Sequence, residues 1–177
     1  MTGASISPVL RSARAPWLLE FPGTPDQGYE VAWAAADDGL VTRVLRGWKM
    51  ARLDAFYSEI AAALQFPAYF GENRAALDEC LTDLSWMPAD AYLLVVVDAL
   101  RLLDDEPEDR FEMFVDVMVR AAKQWATPVA VGEVWDRPAV PFHVMFEVEP
   151  ATREALRARF AAVGAELTPW ESWTHAP

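Results

Sequence analysis

The sequence predicts an α/β domain with a small parallel central sheet flanked by helices. Three observations carry this. Residues 92–97 (YLLVVV) are continuously apolar and valine-rich, the pattern of a strand covered on both faces. Apolar side chains recur at helical spacing over 53–64, 77–84 and 111–125. These stripes alternate along the chain with strand-like runs, and such alternation builds parallel sheets through helical crossovers.

Residues 1–28 carry Pro8, Pro16, Pro22, Gly23, Pro25 and Gly28 without a sustained period and read as an irregular lead-in, with Trp17, Leu18 and Leu19 as a docking point. Tyr29, Val31 and Trp33 alternate with Glu30 and Ala32, which predicts a strand. The turn residues Asp37, Asp38 and Gly39 and the run 40–45 (LVTRVL) then complete an N-terminal hairpin. Leu53, Phe56, Tyr57, Ile60, Ala61 and Leu64 form one helical stripe, ended by Pro67. Asn73 is placed to cap a second helix, whose inner side is Leu77, Cys80, Leu81 and Leu84.

After the strand at 92–97 comes the acidic run 104–109 (DDEPED), with Pro107 suited to a first helical turn. The following helix buries Phe111, Phe114, Val115, Met118, Ala122 and Trp125. Residues 128–134 (PVAVGEV) and 142–148 (FHVMFEV) read as two more strands. Pro150 opens a last helix, with Leu156, Phe160 and Val163 inward and Gly164 at its end. The organisation expected is a lead-in over 1–28 and one domain over 29–177, with a core at 41–134 and a strand–helix extension at 135–177.

Composition narrows the function. The chain has 177 residues, is 53% hydrophobic and contains eight Trp, nine Phe and four Tyr, so it holds ample apolar surface for a core and is not a disordered chain. Its formal net charge of −12 opposes binding to nucleic acid or anionic membranes and suits a basic partner. Cys80 stands alone, which excludes an intrachain disulfide and a cysteine-based zinc site. The longest apolar run, 91–97, is too short to span a bilayer, and no signal-peptide pattern opens the chain, so a soluble, cytoplasmic protein is expected. His143 lies in a strand-like run and His175 near the C-terminus, and no nucleophile–base, metal or phosphate-loop motif occurs. No catalytic residue, metal or cofactor is therefore expected, and the protein reads as a non-enzyme.

The segment 66–82, FPAYFGENRAALDECLT, resembles the hallmark of the barstar family, small intracellular inhibitors of barnase-type ribonucleases. The likeness runs without a gap from about Val44 through Gly47 to Thr82. The strand–acidic loop–helix–strand order of 92–134 is similar in outline, and the hairpin at 29–45 and the chain after about 136 look like additions. The resemblance implies a barstar-like three-layer fold. It also implies a partner-binding site at Tyr69, Phe70, Gly71, Glu72, Asn73, Ala75, Asp78, Glu79 and Asp83. In this reading Glu79 stands where a ribonuclease would hold the scissile phosphate, and Glu72, Asp78 and Asp83 add field and secondary contacts.

The residues themselves fit such a role. At about 100° per residue Glu79 falls about 150° from the apolar stripe, on the solvent side. Between 69 and 84 there are four acids (Glu72, Asp78, Glu79, Asp83) and one base (Arg74), able to imitate RNA phosphates in a basic cleft. A structural account is available for some of them: Tyr69 and Phe70 as rings closing the core, Gly71 as a turn residue, Asn73 as a cap, and the acids as a solvated face.

The segment also departs from the family pattern. Ala75 replaces the first aspartate, Glu79 replaces the main inhibitory aspartate with a side chain one methylene longer, and Asp78 stands at an often aromatic position. Ala121 falls where family inhibitors offer a further carboxylate on the third helix. The leading expectation is an immunity-type inhibitor of a basic ribonuclease, monomeric, with no cofactor. The alternatives are a regulatory interaction module that keeps the fold, and an enzyme using carboxylates that the sequence does not place.

Overall fold

A computed structural model describes residues 8–170 of the chain. Within them a five-stranded, wholly parallel sheet runs in the order β2-β3-β4-β1-β5, formed by β1 (Leu18–Pro22), β2 (Val41–Arg46), β3 (Tyr92–Val97), β4 (Phe142–Val148) and β5 (Thr168–Pro169). The helices are α1 (Pro25–Asp37), α2 (Leu53–Leu64), α3 (Arg74–Asp83), α4 (Glu108–Ala126) and α5 (Arg153–Ala162). The α/β class and the parallel central sheet are as expected from the sequence.

The sheet is the middle of three layers. Tyr92, Leu94 and Val96 of β3 and Val144 and Phe146 of β4 face a core shared with α2, α3, α4 and α5. The alternate residues Leu93, Val95, Val97 and Met145 face α1 and the 3-10 turn Pro8–Arg11. Every residue of β3 and β4 is buried, which is why both strands read as continuous apolar runs.

Three expectations are corrected. First, the N-terminal hairpin is absent, because residues 29–33 belong to α1. A capping box starts this helix: Gln27 N–H donates to Thr24 Oγ1 (3.4 Å), Thr24 N–H donates to Gln27 Oε1 (2.9 Å), and Pro25 sits in the first turn. Its inward residues, Gly28, Val31, Ala32 and Ala35, follow helical and not alternating spacing, and Trp33 is exposed. Gly28 lets α1 approach closely, since a Cβ there would lie 2.6 Å from Val97 Cγ1. β2 accordingly has no hairpin partner and pairs in parallel with β3.

Second, residues 128–134 are no strand. The segment makes one isolated bridge, Val129 to Arg137, and then loops, with Gly132 at φ 87° and the Asp136 carboxylate accepting the N–H groups of Val131 (2.9 Å) and Gly132 (2.8 Å). The strand-forming side chains there point to water, Val134 being 98% exposed.

Third, the segments read as a lead-in and as an extension both contribute strands to the sheet. β1 lies inside the stretch read as an irregular lead-in, and Trp17, Leu18 and Leu19 lead into or form it. β4, assigned to an extension, is the central strand between β3 and β1. Trp173 and His175 lie outside the described residues.

Candidate functional site

The site is built on the α2–α3 connection and the outer face of α3. α2 ends at Leu64, three residues before Pro67: Gln65 adopts the left-handed conformation (φ 52°), Phe66 N–H donates to Ala61 O (2.9 Å), and Gln65 N–H donates to Ala62 O (3.4 Å). The chain then turns on a Phe70 N–H to Pro67 O bond (2.9 Å). Phe70 is half-buried, with its ring 4.9 Å from Phe66 and 6.0 Å from Tyr57, so it closes the core as its structural account has it. Tyr69 does the opposite and is 73% exposed. Gly71 is exposed, and Glu72, also exposed, sits in the left-handed region at φ 47°.

Asn73 is the N-cap of α3. Its Oδ1 accepts Ala76 N–H and its Nδ2 donates to Gly71 O, both at 3.0 Å. Leu77, Cys80 and Leu81 are buried and turn the opposite face outward. Burial, reinforced by the Glu79 and Asp83 charges, pushes the Cys80 thiol up and leaves it protonated and inert.

The outward charges divide into two groups. Arg74 bonds Asp116 of α4, and Asp78 Oδ1 lies 3.2 Å from Arg120 Nε, so two ion pairs of opposite polarity tie α3 to α4. Further along, Trp125 Nε1 donates to Leu81 O (2.8 Å), and the two helices therefore run side by side in the same direction. Glu72, Glu79 and Asp83, by contrast, are exposed and have no ion-pair partner within 4.0 Å among the described residues. Ala75 is exposed and uncharged. The sequence set thus separates into a free acidic trio, one locally neutralised acid (Asp78), a cap (Asn73) and a core ring (Phe70).

Two features lay beyond the sequence reading. Ala121 is fully buried, so the exposed acids of α4 nearest the site are Glu112 and Asp116. Together with Glu72, Arg74, Tyr57 and Arg110 they line an open groove of about 890 Å³ over α4, bounded by α2, the start of α3 and the segment after α5. The second acidic cluster, 104–109, is largely committed internally. Asp104 pairs with Arg101 (3.1 Å), Glu106 accepts Leu53 N–H at the start of α2 (2.9 Å), and Glu108 pairs with Arg159 (3.6 Å). No spacing rule signals the distant partners of Glu106 and Glu108.

His143 holds a structural position, fully buried on β4 with Nε2 2.9 Å from Ser12 O, and burial pulls its pKa down. Among the described residues no group of three or more His, Cys, Asp or Glu is placed to hold a metal ion, and no helix is long and apolar enough to cross a membrane.

Fold and site define a three-layer α/β protein that presents, among the described residues, an acidic helix face. The chain belongs to the barstar family: the family model described as Barstar (barnase inhibitor) matches residues 40–147, more than half of its length. The match runs from the residue before β2 to the penultimate residue of β4, so β4 lies within the family core, and β1, α1, α5 and β5 lie outside it. No curated protein matches the chain significantly. Among solved structures, a chain of the Drosophila ORC bound to AT-rich DNA and Cdc6 is similar at 17% identity and a TM-score of 0.41. That likeness covers 89% of this chain and 48% of the other, so the chain spans about half of its neighbour's length.

Proposed function

We propose that the protein is an intracellular, non-enzymatic inhibitor that binds a basic ribonuclease and blocks its active site with the acidic face of α3. The observation that carries this reading is the free carboxylate trio Glu72, Glu79 and Asp83, exposed on a surface where the neighbouring charges Arg74 and Asp78 are already paired. A cleft that binds RNA presents Arg and Lys to phosphates. Carboxylates held on a rigid helix meet the same groups with charge-assisted bonds and lose little entropy on docking. Glu79 takes the phosphate position, Glu72 and Asp83 flank it, and Tyr69 supplies an exposed ring beside them. No cofactor takes part.

A second reading, a regulatory interaction module that keeps the fold without inhibiting a nuclease, is favoured by one specific pattern. Ala75 and the buried Ala121 stand where the family offers carboxylates, and Asp78 is engaged by Arg120, so the acidic set is reduced and rearranged. Affinity capture from the native lysate and secretome, followed by ribonuclease assay of the captured protein with and without the inhibitor in stoichiometric amount, separates the two. Capture of a basic ribonuclease that is silenced at a 1:1 ratio supports inhibition. Capture of a partner without nuclease activity, or of an active nuclease left unsilenced, supports the second reading.

A further inference from the structure

We propose that the open edge of β2 is a second binding site, which accepts an extended acidic segment of a partner protein as a sixth strand of the sheet. β2 pairs only with β3 among the described residues. Val41 N–H donates to Ala91 O (2.9 Å), which turns the backbone groups of Val41, Arg43 and Leu45 toward β3 and those of Thr42, Val44 and Arg46 outward. Two of these outward groups are served by side chains: Arg43 Nη1 donates to Thr42 O (2.7 Å), and Arg46 N–H donates to Glu59 Oε1 (3.4 Å). The N–H and C=O of Val44, at the strand's centre, have no partner among the described residues.

The edge lies in a groove and not on a flat rim. Val44 and Arg46 form its floor, Tyr29 of α1 one wall, and Glu59, Ala62 and Ala63 of α2 the other, enclosing about 320 Å³. The small alanines leave room for a side chain of the added strand. Tyr29 continues into Trp33, ring centroids 6.3 Å apart, and Trp33 is 66% exposed although nothing in the fold uses it. A strand laid along β2 would cover these rings.

Charge selects the occupant. Residues 43–52 (RVLRGWKMAR) carry four basic side chains and no acid, in a chain of net charge −12. Arg46 pairs with Glu59 and Arg52 with Asp54, but Arg43 and Lys49 have no carboxylate within 4.0 Å among the described residues. Charged side chains on an edge strand discourage pairing with a second copy of itself. An acidic extended segment meets the same charges favourably and obtains its affinity from main-chain hydrogen bonds. This site is separate in sequence and opposite in sign to the acidic face of α3, so it does not depend on the inhibitor reading.

The test uses the full chain, isotope-labelled, with three synthetic decapeptides: alternating Glu and Val, alternating Lys and Val, and the Glu–Val peptide N-methylated at alternate residues to block one hydrogen-bonding edge. The expected result is that the Glu–Val peptide shifts the Val44 and Arg46 amide resonances and slows exchange of the Val44 amide. The Lys–Val and N-methylated peptides should bind at least about tenfold more weakly. Arg43→Glu should weaken the Glu–Val peptide at least about fivefold with an unchanged melting curve. Val44→Pro, which removes an outward donor and trims a partly buried side chain, gives a second variant with the same expected loss, read alongside its melting curve. Equal binding of the Glu–Val and Lys–Val peptides, shifts confined to other surfaces, no binding, or self-association through β2 in sedimentation would each overturn the proposal.

Discussion

At the scale of single residues, Glu147 is the carboxyl group whose environment departs most from water. It is fully buried on β4 under α1, its Oε2 accepts Asp98 N–H (2.7 Å), and its Oε1 has no partner among the described residues. Burial, offset in part by that bond and reinforced by the nearby Asp98 and Glu149 charges, pushes its pKa up to about 7. The neutral form is thus the folded form. Its stabilising contribution is complete below the unfolded value of 4.5 and disappears as pH rises through 7, a loss of roughly 3 kcal/mol. Urea unfolding at pH 4 and pH 8 should show the wild type losing that much more than Glu147→Gln over the interval, and parallel losses would contradict the assignment. Asn73→Ala should cost about 1 kcal/mol through the lost cap, and Asn73→Asp should restore it in the same melts. Asn73 was legible in the sequence because a cap is a local signal. Glu147 was not, since an acid in a strand reads as outward until the sheet is known to be covered on both faces.

At the scale of elements, the pieces outside the family match hold one another. Glu20 of β1 is fully buried and bonded by Arg153 (2.8 and 2.9 Å) and Arg157 (2.8 and 3.1 Å) of α5. Burial alone would raise the Glu20 pKa, but the hydrogen bonds and charges of Arg153 and Arg157 outweigh it and hold the carboxyl low. The pair therefore stabilises above the ordinary carboxylate range and fails as pH falls through the depressed value. Arg157→Leu should cost roughly 2 kcal/mol, less than the ~3–5 kcal/mol of a fully buried pair because the arginines are partly exposed. Calorimetric melting at pH 7 checks this, and the deficit should shrink toward pH 3. The long amphipathic helices α2, α3 and α4 and the apolar strands β3 and β4 were legible from periodicity. β1 was not, because its pattern is broken by an acid whose partners lie more than a hundred residues away. The chance alternation at 29–33 concealed α1, although the capping sequence Thr24-Pro25-Asp26-Gln27 announces a helix start. Residues 128–134 have strand-forming composition but pair only through the isolated Val129–Arg137 bridge, and the Asp136 side chain takes the backbone donors of Val131 and Gly132 instead.

At the scale of the whole molecule, the proposed inhibitor would act on a basic partner through its net charge of −12 together with the exposed carboxylates Glu72, Glu79 and Asp83. Association should be fast at low salt and slow steeply as the Debye length falls from ~10 Å at 0.1 M to ~3 Å at 1 M. Stopped-flow on-rates that stay flat across that range would contradict electrostatic docking. The proposed binding face was legible in the sequence only as a motif. Which of its acids are free was not, because the pairing of Asp78 with Arg120 and of Arg74 with Asp116 depends on how α3 lies against α4. The inhibitor reading rests in the end on Glu79, which is exposed, unpaired and free of any role in the core. The most direct test is titration calorimetry of Glu79→Ala and Asp83→Ala against the captured ribonuclease, with thermal melts alongside. Glu79→Ala should melt within about 0.5–1 kcal/mol of wild type. It should lose about 2–5 kcal/mol of binding, a scale taken from the barnase–barstar complex itself, while Asp83→Ala loses under about 1 kcal/mol. Undiminished binding by Glu79→Ala, or equal losses for the two variants, would contradict an active-site block centred on that carboxylate.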